Sequence, residues 1–157
     1  MQVYYNITIT GGLMLLFTFL IQSANAHNIM FHWKNSFDIH ICKNVNITIP
    51  EVEDAINYWS QGLDFEVAKI TKNNECNSTE NRGIQIKSDN NLPARLYGET
   101  DVNWYAYNYD PNTKYINHAT VRLSSNFIKK NNVTLTHELG HALGLGHEQT
   151  GIMRPKY

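Results

Sequence analysis

From residue 37 onward the apolar positions follow two periods. Phe37, Ile39 and Ile41 interleave with Asp38, His40 and Cys42, the period of two expected of a strand with one buried face. Thr48, Pro50 and Glu51 then mark a helix start: the Thr48 hydroxyl can bond an early backbone N–H, Glu51 can reach back, and Pro50 is tolerated in the first turn. Val52, Ala55, Ile56 and Trp59 follow at i, i+3, i+4 and i+7, one apolar stripe that must pack on a sheet or another helix, and Gly62 ends it. Phe65, Val67 and Ile70 predict a second strand, Thr71 to Arg82 a surface loop carrying Cys76, and Gly83 to Lys87 a third strand. Ala94 to Thr100 is expected to be a short edge strand, with Pro93 at its start and Gly98 interrupting it. Trp104 to Asn112 reads as an aromatic loop with a turn at Asp110-Pro111-Asn112, and Ala119, Val121 and Leu123 as another strand. This order predicts an α+β layering with helices behind a mixed sheet.

The first 26 residues break the pattern, because they contain no Asp, Glu, Lys or Arg. Their apolar run, Leu13 to Ile21, is too short for a bilayer span of about 20 residues, and Ala24-Asn25-Ala26 follows it as a small-x-small cleavage pattern. Residues 1–26 therefore read as a secretory signal and 27–157 as one domain of a secreted, extracellular protein. An export route agrees with the cysteines: Cys42 and Cys76 are the only two, and a disulfide closing that loop would stabilise the fold by about 3–4 kcal/mol. Sequons at Asn46, Asn77 and Asn132 would permit glycosylation on that route. A net charge of −1 on 157 residues excludes a nucleic-acid binder by bulk electrostatics.

Chemistry concentrates near the end, in His137-Glu-Leu-Gly-His-Ala-Leu-Gly-Leu-Gly-His147. A helix capped by Asn131 or Asn132 and running to about Gly144 puts His137 and His141 on one face, with Leu135, Leu139 and Ala142 roughly opposite. Two imidazoles at i and i+4 suit a first-row divalent ion, zinc above all. Gly144 can adopt the left-handed conformation that turns the chain back, so that His147 supplies a third nitrogen. Three protein ligands leave one tetrahedral position open, the arrangement of a catalytic site. Glu138, beside the first ligand, is the natural general base.

This motif, followed by Gly151-Ile152-Met153, resembles the metzincin zinc endopeptidases, whose long motif precedes a Met-containing turn beneath the metal. Within that clan, Ile152-Met153-Arg154-Pro155-Lys156-Tyr157 is similar to the matrixin (matrix metalloprotease) ending, and Val52 to Trp59 with Ser60 is similar to the matrixin first helix. The resemblance implies a mixed twisted sheet with a backing helix and an active-site helix. It also implies Met153 as a soft floor under the imidazoles, and Pro155 and Tyr157 as walls of a substrate pocket. An extended peptide would pair with the edge strand. There are departures. No matrixin-type cysteine switch fits between Ala26 and the first strand, only His118 matches a ligand of the matrixin structural zinc, so no second zinc is expected, and the chain stops short of the matrixin C-terminal helix. Glu148, directly after the third His, is similar instead to the astacin Glu that pairs with the mature N-terminus, here His27.

The expected function is therefore zinc-dependent hydrolysis of peptide bonds by a secreted monomer, acting on protein or peptide substrates without stable membrane association. Calcium stays open, with no EF-hand-like loop in its favour. Two alternatives remain: a secreted zinc-binding or toxin-like module without turnover, and a zinc hydrolase with a non-peptide substrate.

Overall fold

A computed structural model describes residues 27–73, 76, 83–124 and 132–155. The elements run β1 (Phe37–Cys42), α1 (Ile49–Ser60), β2 (Val67–Asn73), β3 (Gly83–Ser88), β4 (Gly98–Tyr107), β5 (Asp110–Leu123) and α2 (Val133–Ala142). The strands form one sheet in the order β2-β1-β3-β5-β4, parallel except for the antiparallel β4–β5 pair at one edge. The chain is thus an α+β protein with a mixed sheet. The proposed signal, residues 1–26, and Tyr157 lie outside the described residues, as do the sequon at Asn77 and Asn131.

The register explains the core. Ile39 pairs with Ile84 and Ile84 with Ala119, while Ile41 pairs with Ile86 and Ile86 with Val121, so two apolar rows cross β1, β3 and β5. All six residues are fully buried. Val52, Ala55, Ile56 and Trp59 of α1 join the same cluster as Leu135, Leu139 and Ala142 of α2. Between the helices, the buried Trp59 indole N–H donates to the Thr136 carbonyl (2.8 Å), so burial of the large ring leaves no indole donor unmet. The start of α1 is the expected capping box, with the Glu51 carboxylate accepting from the Thr48 backbone N–H at 2.7 Å and from its hydroxyl at 2.6 Å. Cys42, at the end of β1, is bonded to Cys76.

Several boundaries differ from expectation. β2 takes in Thr71, Lys72 and Asn73, which pair with His40, Ile41 and Cys42. The edge strand starts at Gly98; Ala94 to Tyr97 are instead a turn region, with the Leu96 N–H on the Pro93 carbonyl. The aromatic segment is not a loop, since β4 continues through Trp104 to Tyr107 and turns at Asn108-Tyr109 into β5. Backbone pairing and ring contacts among Tyr105, Tyr107 and Tyr115 stabilise this hairpin. Trp104 and Tyr105 are both exposed, so no one-sided alternation announced a strand. Pro111 is accommodated beside a register shift, where the ladder is already irregular.

Candidate metal centre

Helix α2 carries most of the site. Leu135, Leu139 and Ala142 are fully buried, which turns the His137 and His141 side of the helix away from the core. Asn132 occupies the N-cap position, but in a left-handed conformation (φ 45°) and without a side-chain cap bond; its carbonyl accepts from the Thr136 N–H and hydroxyl, both at 2.9 Å. The helix stops at Ala142, two residues before the expected Gly144. Gly144 does take a positive φ (102°), and the Leu145 N–H reaches back to the Gly140 carbonyl (3.0 Å), a helix-ending bond of the Schellman type. The reversal brings His147 back to the two helical imidazoles.

The three rings converge through Nε2. His141 Nε2 lies 3.1 Å from His137 Nε2 and 3.2 Å from His147 Nε2, and the ligand atoms all fall within 4.8 Å of one another. The opposite nitrogens fix the tautomers. His137 Nδ1 is 2.6 Å from the Ile152 carbonyl and His141 Nδ1 is 2.8 Å from the Leu145 carbonyl. A carbonyl only accepts, so each Nδ1 carries the proton and each Nε2 is left with a lone pair facing its neighbours. Lone pairs crowded on one point repel, and a cation there removes the repulsion. The donor set therefore fits a divalent metal ion; nitrogen ligands alone do not single out zinc.

Burial holds the His141 imidazolium below its ordinary range, aided by the charges of His137 and His147 and opposed by the Leu145 carbonyl. The neutral, ligating form is favoured. Glu138 is buried, with 6% of its surface exposed. Desolvation pushes its carboxyl up, while the Thr100 hydroxyl and His137 pull it down. The Thr100 hydroxyl lies 2.8 Å from Glu138 Oε2 and 3.0 Å from its backbone carbonyl, so β4 holds this carboxylate directly. Gly98 makes room for it, because a Cβ there would sit 2.7 Å from Glu138 Cγ.

Met153, 1% exposed, packs beneath α2; a Cβ on Gly140 would come within 2.5 Å of its Sδ and 2.9 Å of the Trp59 ring. This turn also orients the first imidazole through the Ile152 carbonyl. Glu148 meets His27 through the imidazole, Nδ1 to Oε1 at 2.9 Å, and also accepts from the Asn28 backbone N–H at 3.3 Å. Pro155 is half-buried just beyond Met153. Thr100, Gly98 and the carbonyls of Leu145 and Ile152 had no signal in the sequence, since carbonyls belong to every residue and Thr100 meets Glu138 only through the fold. No protein-family model and no curated protein matches this chain.

Proposed function

We propose that the protein is a zinc-dependent endopeptidase of the metzincin type, matrixin-like in its active-site segment. The observation that carries this reading is the meeting of three Nε2 atoms beside Glu138, a buried carboxylate on the helix that carries two of them. Further support comes from Met153 packed under α2 and from β4, which ends the sheet and with which an extended peptide would pair.

His137, His141 and His147 would hold the ion, which supplies Lewis acidity toward a substrate carbonyl and toward water. Glu138 then accepts the proton of the attacking water and delivers it to the departing amine. A carboxyl raised by burial is a stronger base than a fully solvated one, so it takes the water's proton more readily and holds it until the amine departs. Thr100 keeps the carboxylate aimed while it changes protonation state. Pro155 and Tyr157 are the proposed pocket walls, and cleavage after Ala26 is the proposed route out of the cell; a Cys42–Cys76 disulfide is compatible with an extracellular location. Among the described residues no helix is long and apolar enough to cross a membrane.

Metal analysis paired with digestion of unfolded casein, with and without chelator, tests the reading. Stoichiometric zinc and chelator-sensitive cleavage are expected. Zinc without cleavage of any peptide substrate would leave the binding module or a non-peptide hydrolase. A protein that takes up no divalent ion overturns the proposal.

A further inference from the structure

The segment 27–33 precedes every named strand, yet it runs antiparallel to 142–148 nearly residue for residue. The Trp33 indole N–H donates to the Ala142 carbonyl (2.9 Å). The Met30 and Phe31 N–H groups both point to the Gly144 carbonyl (2.8 and 3.2 Å), Ile29 bridges Leu145, and the Gly146 N–H donates to the Asn28 carbonyl (2.8 Å). His27 and Glu148 close the far end. Two glycines make this approach possible. A Cβ on Gly144 would strike the Phe31 carbonyl oxygen, and one on Gly146 would sit 2.8 Å from Met30 Sδ and 2.9 Å from Asn28 Nδ2. At its other end the segment is fixed to β5, the His32 N–H on the Lys114 carbonyl (2.9 Å) and the Ile116 N–H on the His32 carbonyl (2.7 Å).

His147 lies inside the stretch so held. Its neighbours Gly146 and Glu148 are both bonded to the segment, whereas its own ring meets only His137 and His141 among the described residues. We infer that residues 27–33 are part of the metal centre, a strand that positions His147 where it completes the trio. The inference rests on the metal-binding reading above. It makes Met30 and Trp33 positioning residues, although neither touches the ion's place.

A double-mutant cycle on the full chain tests it, with zinc affinity read by competition against a chromophoric chelator and folding checked by circular dichroism. Met30→Pro removes the N–H given to the Gly144 carbonyl, and Trp33→Phe keeps an aromatic ring but removes the N–H given to Ala142. Each is expected to weaken zinc binding by about 10–100-fold, the usual cost of losing an outer partner of a ligand. In a His147→Ala background neither should cost anything more, because the ligand they position is gone. Exchange of the Gly146 amide should accelerate in Met30→Pro. If that variant does not fold, Trp33→Phe carries the same cycle. Wild-type affinity in both variants, or an equal loss with and without His147, overturns the inference while leaving the metal reading intact. A wild-type chain that binds no zinc overturns both.

Discussion

The two sides of the histidine trio are built by different means. His137 and His141 share a helix whose apolar face is locked into the core, and each imidazole is oriented by a carbonyl on its Nδ1. His147 is exposed, stands after a left-handed turn, and lies between residues held by backbone bonds to a distant part of the chain, at Gly146, and to the Met153 carbonyl, at Glu148. A helix delivers side chains at i and i+4 from local geometry alone, whereas a loop needs an outside brace to do the same. The helical half takes its ring-orienting carbonyls from within 15 positions in sequence, whereas the loop half is also held by chain more than 100 positions away.

The largest expected effect lies on the helical half. Glu138→Gln should leave zinc content unchanged and lower kcat/KM by about 10²–10⁴-fold, the range of a lost general base. Proteolysis at the wild-type rate in that variant would remove Glu138 from the mechanism. Next come the ligands themselves. His141→Ala takes away one of two preorganised nitrogens and leaves a pair that spans helix and loop; His147→Ala leaves the helical pair whole. Both should weaken zinc by more than about 100-fold, beyond what outer partners cost, and His141→Ala should be the weaker binder. Competition titrations of the two side by side would break the contrast if their affinities were equal.

The same division governs what could be read from the sequence. Ile39, Ile41 and the stripe Val52, Ala55, Ile56 and Trp59 announced their elements, because each has one buried face and so a visible period. The His137 and His141 pair was legible for the same reason, and Gly144 marked the reversal that returns His147. The β4–β5 hairpin was hidden because its outer half is buried on neither face; cross-strand hydrogen bonds and tyrosine contacts sustain it, and neither leaves a period in the hydropathy. Thr100 and the backbone pairing of 27–33 were hidden because their roles exist only across long separations, through a hydroxyl and through backbone groups that every residue possesses; the resemblance pointed only to the Glu148 and His27 end.

A smaller effect belongs to a region that neither half of the trio uses. Replacing Cys42 and Cys76 by Ser reopens a 34-residue loop at the end of β1. Chemical denaturation should show a loss of about 3 kcal/mol, with zinc affinity per folded molecule unchanged. A drop in that affinity would mean that the sheet edge and the metal centre are coupled, and that the brace is not the only distant support of the site.

The smallest effect returns to β4. Thr100→Val is nearly isosteric and removes the hydroxyl that stabilises the ionised form of Glu138. Burial already raises this carboxyl, so losing a contact that lowers it must raise it further. The acid limb of the kcat/KM profile should move to higher pH, by less than a tenfold rate change on its alkaline side, where Glu138 is ionised in both proteins. Stability follows the same sign. A group whose folded-state pKa is raised contributes stability below its unfolded value and loses it as pH rises through the folded one. Thr100 limits that loss, so in metal-free protein the stability gap between wild type and variant should widen as pH rises from below the ordinary carboxylate range to neutrality. An acid limb that stays in place would show that the hydroxyl serves the Glu138 backbone carbonyl instead, and that the helix orients its own carboxylate without help from the sheet.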